Sequence, residues 1–584
     1  EESLSRSQAL LAEPGPLIAT AGTDVMLLEP AQHRRHILLR DEHGHERVFD
    51  VGPGEPTSAR LEAGYYKMLS DGVPLRDVIV SPGQCFMPED ITEGRRVFGL
   101  ASHLYALRHA GSEGIGDFET LERLAQFTAG IGGRYAVLNP LHHLFPSDRS
   151  RVSPYQPSDR HYIDPLYINI ARLLTTLALP NTARLAMENR AAFASLDRLP
   201  HVDYAAVWTA KSRLLEAAFA EFTGNAAFDA FRRAGGAALM AHGRFEARRM
   251  GEPETERPIA YRAFLQWVAS SQLKEAARQG NLYHDLALGC AFDGGEIDAN
   301  PSAFAQGVSI GAPPDPFSAA GQVWNLPPFS PLALNRQAMQ PMRRVMSANM
   351  NYAAALRIDH VLGFARQFWV PQGADGRDGA YVRFPLDSLI AVTAIESQKH
   401  KCLVVGEDLG TVPDGLRDKL AAASIFSYRV LWFERNGTGF KPPEAYPQRA
   451  VACLASHDLP TFSGWRAGRD IEIAHSIGQL TDELIEPRMS ERAAELEQLD
   501  RLAGASGMDD IAASAAVHRL VARTPSQIML VQADDMSGEM DPLNIPGTDR
   551  EWPNWRRRVT VPVEELGDTP RAKTIVNAVR QERP

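Results

Sequence analysis

Three carboxylates close apolar runs in this chain: Asp359 in AALRIDH, Glu407 in CLVVGEDLG and Asp458 in AVACLASHD. The pattern repeats in each, a strand-like run with an acid at its last position. Burying an ionised carboxylate costs on the order of several kcal/mol unless it is paired, so three at matching positions indicate one shared task rather than three unrelated caps or ion pairs. Paired carboxylates suit glycosidic bond chemistry, in which one acid protonates the leaving oxygen while the other attacks the anomeric carbon or activates water.

The elements that must position these acids can be read from periodicity. VFGLASHLYAL is strand-like, GDFETLERLAQFTAG has helical period and RYAVLNPL is strand-like again, which makes a βαβ unit and implies a parallel sheet. Strand-like runs return at LYHDLALG, AALRIDH, CLVVGEDLG, FSYRVLWFE, AVACLASHD and QIMLVQADD. Together these make about eight strands interleaved with helices, the pattern of a (β/α)₈ TIM barrel, although an open doubly wound sheet has the same local signature. In a barrel the C-terminal strand ends share one rim, where all three acids would meet. Helical insertions are expected at about 170–280 and 470–505, the first containing DYAAVWTAKSRLLEAAFAEF with Asp203 as N-cap. Residues 1–90 hold short β-branched or alternating runs between Gly, Pro and charged turns, and predict a small N-terminal β domain ahead of a catalytic region at 91–584.

Composition narrows the partners. A formal net charge of -11 argues against nucleic acid, whose recognition needs a concentrated positive field. No run approaches the roughly 18 apolar residues of a membrane span. The start EESLSRSQALLAEPG is acidic and lacks an apolar h-region, so no secretory signal is visible and a cytoplasmic location is expected. Cys85, Cys290, Cys402 and Cys453 are widely spaced, and they read as reduced structural thiols rather than a zinc site or a disulfide framework. No metal-binding spacing accompanies the histidines, and no cofactor is expected.

These strings resemble the amylomaltase (4-α-glucanotransferase) family, a relative of the α-amylase clan. The resemblance rests on RIDH, GEDLG and SHD, supported by LYALRHAGSEGIGDF, SPYQPSD, GAPPDPFSAAGQVW, NIPGT and NWRRR in consistent order from about 97 to 558. It implies that Asp359 is the nucleophile, Glu407 the general acid and then base, and Asp458 the stabiliser of the oxocarbenium-like transition state. It further implies substrate-binding roles for Arg357, His457, Tyr155, Asp285 and Trp324. Arg357 sits one strand period before Asp359 and so on the same face, keeping that carboxylate ionised and oriented. Asp408 should point to the opposite face from Glu407 and serve structure, and His142 and His143 read as packing or hydrogen-bonding residues. His360 reads likewise as a packing or hydrogen-bonding residue, its place at this polar strand end otherwise unexplained. The segment 311–331 would form a lid on which Trp324 stacks a sugar; the alternative is that Trp324, Phe317 and Phe329 simply pin the loop to the barrel. It departs from the family pattern at Pro316, where an aromatic is common, and at WNLP in place of WGNP. The expected substrates are malto-oligosaccharides and α-1,4-glucans, passed to an acceptor 4-hydroxyl through a covalent glucosyl-enzyme. An α-glucan hydrolase is the alternative, and a noncatalytic glucan-binding protein is a third reading. Oligomeric state is not legible.

Overall fold

The computed structural model describes residues 4–6, 15–28, 33–53, 57–314, 320–437 and 439–584. Eight strands carry the fold: β1 (Val97–Ala101), β2 (Tyr135–Val137), β3 (Asn281–Leu286), β4 (Ala355–Ile358), β5 (Leu403–Gly406), β6 (Ser427–Val430), β7 (Ala450–Cys453) and β8 (Ile528–Gln532). They follow one another through a single sheet in chain order, with β8 parallel to β1. A doubly wound sheet would reverse its strand order at a switch point, so this order decides for the (β/α)₈ barrel. Strands covered on both faces read as continuous apolar runs, which is why LVVG and AVAC are wholly buried and lack polar alternation.

The chain divides into two compact units, Glu1–Glu89 with Leu288–Asn351 and Ala355–Ser427, and Asp90–Ala287 with Tyr352–Ala354 and Tyr428–Pro584. In the first unit β4 and β5 pair in parallel with Ile358 opposite Gly406, so the next residues, Asp359 and Glu407, leave the two strands at the same level. The amide of Glu407 donates to the Ile358 carbonyl at 3.0 Å, extending the ladder past the last strand pair. The Phe426 amide donates to Val404 and the Gly406 amide to Phe426, which ties β5 to the residue before β6.

The same unit contains a five-stranded sheet of Leu17–Thr20, Arg35–Asp41, Glu46–Val51, Gly64–Ser70 and Val73–Ser81, and a strand pair Asp24–Leu28 with Thr57–Arg60. Here alternation is clear: Ile37 and Leu39 enter a core with Val25, Met68, Val78 and Val80, while His36 and Arg40 face solvent. Tyr65 of this sheet donates through its hydroxyl to Glu396 at 2.8 Å, and the Arg343 guanidinium lies 3.8 Å from the Tyr65 ring centroid. Glu396 is buried, so Tyr65→Phe leaves a buried carboxylate one donor short. The expected loss is about 1–3 kcal/mol of unfolding free energy in a urea titration. An unchanged midpoint would mean that Arg343, 3.5 Å from Glu396, supplies the missing donor.

In the second unit the helical insertion comprises Ile170–Leu177, Pro180–Asp197, Tyr204–Glu221, Ala226–Arg249 and Glu256–Gln279. Asp203 caps the third by accepting from the Ala206 amide at 2.9 Å, as its position before the apolar stripe predicts. Sequence periodicity overlooked Lys211 on the buried face of that helix. Its ammonium donates to the Leu166 and Ile168 carbonyls and pairs with Glu113 at 3.0 Å, which offsets the cost of burying the charge. The later helical block is Arg469–Ser476 and Asp482–Ala503. Among the described residues no helix is long and apolar enough to cross a membrane.

Candidate active site

Each unit holds a cluster of the residues singled out from the sequence. In the first, Arg357 and Asp359 leave the same face of β4, as residues two apart on a strand must, and Arg357 Nη2 lies 2.9 Å from Asp359 Oδ1. Glu407 follows β5 and is only 8% exposed. Its Oε2 accepts from the His360 amide at 2.9 Å and its Oε1 from the Leu409 amide at 2.8 Å. Burial pushes the Glu407 carboxyl up to about 7; Arg357 pulls it down and the Asp359 charge pushes it up. Near neutral pH this group is therefore populated in both its acid and its base form, the condition for serving as each in turn.

Asp408 turns the other way, as expected for the next strand residue: its Oδ2 accepts from Arg417 Nε at 2.7 Å and from the Ser427 hydroxyl at 2.5 Å. His360 adopts the left-handed conformation, φ 48° and ψ 56°, and its ring meets the Trp324 indole edge-on at 5.3 Å. Burial, with Arg357 nearby, pulls its imidazole down to about 4, so it is neutral at pH 7. Trp324 stands half-buried on the strand Gln322–Leu326, and its Nε1 donates to Gln322 Oε1 at 2.9 Å. Phe329 is buried and stacks on Phe304 at 4.7 Å, a pinning role. Pro316 and Phe317 lie outside the described residues.

In the second unit Tyr155, Asp285, His457 and Asp458 come together from distant segments. The Tyr155 hydroxyl donates to Asp285 Oδ2 at 2.6 Å, and its oxygen lies 3.2 Å from His457 Nδ1. The Tyr155 and His457 rings stack at 4.7 Å. His457 Nε2 lies 3.3 Å from Asp458 Oδ2, and Asn544 donates to Asp458 Oδ1 at 2.6 Å. The expectation that Asp458 ends its strand is corrected here. β7 stops at Cys453, and Asp458 stands five residues on, exposed, in the following loop. Leu454 and Ala455 are as buried as the strand, so the apolar run outlasts the ladder, whose last pair is Cys453 with Leu530.

Sequence reasoning passed over three members of this cluster. Asn544 belongs to NIPGT and Trp555 to NWRRR, both noticed only as supporting strings. Trp555 packs 5.4 Å from Tyr155 and 5.5 Å from His457, and His103 meets His457 edge-on at 5.4 Å. His142 and His143 are structural: His142 Nε2 accepts from the Ala287 amide, and buried His143 pairs with Glu246 at 3.2 Å. The four cysteines are buried and not joined in disulfides.

Comparison with known proteins bears on this arrangement. Residues 102–563 match the family described as 4-alpha-glucanotransferase. A 4-alpha-glucanotransferase of Haemophilus influenzae is 31% identical, over 90% of this chain and 84% of that one. One of Mycobacterium tuberculosis is 32% identical, over 89% and 80%. Among solved structures, the amylomaltase of Corynebacterium glutamicum superposes with a TM-score of 0.89 at 25% identity, over 99% of this chain and 92% of that one. The amylomaltase of Streptococcus agalactiae, solved with acarbose, shares the fold at a TM-score of 0.67 and 18% identity, over 84% and 99%.

Proposed function

The chain belongs to the 4-alpha-glucanotransferase family, and from that premise we propose how its residues carry out the transfer. It is a glycosyltransferase that moves α-1,4-glucan segments from a donor to the 4-hydroxyl of an acceptor. Asp359 attacks the anomeric carbon while Glu407 protonates the departing glycosidic oxygen, leaving a covalent β-glucosyl ester. Glu407, now ionised, takes the proton of the incoming 4-hydroxyl, whose oxygen displaces Asp359. Two inversions return the α configuration. Arg357 orients the nucleophile through its 2.9 Å contact, and Asp458 stabilises positive charge at the anomeric centre. His457, Tyr155, Asp285 and Trp324 hold the sugar.

The observation that carries this reading is the contrast between the two carboxylates of the first unit. Asp359 is paired with a guanidinium at 2.9 Å, whereas Glu407, buried and accepting from two amides, is raised to about 7. Environments that separate two acids in this way assign one as nucleophile and the other as proton carrier. Malto-oligosaccharides and starch- or glycogen-type α-1,4-glucans are the substrates in this reading, the enzyme is cytoplasmic, and residues 1–90 form a β-rich domain ahead of the catalytic region 91–584. Incubation with maltotriose tests it. Transfer yields glucose and a ladder of longer chains; glucose and maltose without longer products would instead identify a hydrolase, and no change a binding protein.

A further inference from the structure

We propose that His360 is a positioning residue that transmits the placement of the Trp324 strand to the Glu407 carboxylate. This rests on the reading of Glu407 as acid and base. His360 is joined to the nucleophile by one peptide bond, and its backbone is the means by which the end of β4 folds over the end of β5. Its amide donates to the Glu407 side chain at 2.9 Å, and the next amide, of Val361, donates to the Glu407 carbonyl at 2.9 Å. Both bonds are made with His360 at φ 48°, in the left-handed conformation that most side chains resist and that histidine, asparagine and aspartate enter more readily.

What meets the ring is Trp324, edge-on at 5.3 Å and 84°. Trp324 stands on a strand anchored by Val308–Ala312, which pairs in turn with Arg366–Pro371. The indole therefore braces the imidazole, the imidazole holds the turn, and the turn aims an amide at Glu407. The charged groups facing Glu407 are Arg357 and Asp359; the neighbouring Asp408 is engaged by Arg417 and Ser427, and the His360 ring is neutral. A hydrogen bond from an amide favours the ionised carboxylate. Loosening the His360 turn therefore raises the proton affinity of Glu407 and moves the alkaline limb of activity to higher pH.

The test compares pH profiles of kcat/KM on maltotriose for the full chain and its variants. His360→Ala, which resists the left-handed turn, should move the alkaline limb up by about half a pH unit or more and lower kcat about tenfold. His360→Asn, which tolerates the turn, should restore the limb to within about 0.2 pH units. Trp324→Ala should move the limb in the parent enzyme and leave it unmoved when His360 is already alanine. A limb unmoved in a folded His360→Ala enzyme, or shifted equally by Trp324→Ala in both backgrounds, would overturn the proposal. The underlying reading fails separately: α-glucosyl fluoride needs no proton to release its leaving group, so if Glu407→Ala forms the glycosyl-enzyme from it no better than from maltotriose, Glu407 is not the acid.

Discussion

Asp359→Asn should abolish glycosyl-enzyme formation if Asp359 is the nucleophile, with turnover of maltotriose falling on the order of 10⁵-fold. The size follows from the proposed role: with Asp359 as nucleophile, no other oxygen replaces the bond it would make to the anomeric carbon. Asparagine keeps the shape of the side chain but loses the charge that meets Arg357 at 2.9 Å, and an amide nitrogen or oxygen is a poor nucleophile. Mass spectrometry after exposure to α-glucosyl fluoride should show a glucosyl adduct on the parent protein and none on the variant. Substantial turnover in a folded Asp359→Asn enzyme would refute the assignment.

Glu407→Ala has the second largest expected effect, about 10²–10⁴-fold on maltotriose. Its signature is selectivity: the first step with α-glucosyl fluoride should be largely spared, because fluoride departs without a proton, while return of the glucosyl group to an acceptor 4-hydroxyl stays slow for want of a base. In the parent enzyme the same group sets a pH dependence. In the proposed mechanism the acid form of Glu407 drives bond cleavage, so kcat/KM should decline as pH rises through about 7, where the carboxyl ionises. The sign follows from burial, which disfavours the charged form and lifts the titration above the usual carboxylate range. An alkaline decline that persists unchanged in Glu407→Gln would assign it to another group.

Asp359 and Glu407 were legible because an acid closing an apolar strand has few structural explanations, and the strand period placed Arg357 beside Asp359. Asp458 was misplaced as structure: apolar burial runs on through Leu454 and Ala455, while strand pairing ends at Cys453. Tyr155 and Asp285 were named by motif, yet their 2.6 Å hydrogen bond joins residues 130 positions apart, a distance no local pattern spans. His360 was opaque for another reason. Its use lies in a backbone angle and an amide, and residue type reports on neither.

The sequence by itself determined which atoms are available to react and the alternation of strand and helix that carries them, because side-chain chemistry and hydrophobic period are local properties. Only the tertiary structure decided how strongly Glu407 holds its proton. Asp359 and Glu407 are both carboxylates after apolar strands, but the register of β4 on β5 sets Arg357 against one and buries the other beneath two amides. Proton affinity depends on desolvation and on charges reached through space, and both exist only once the chain has folded.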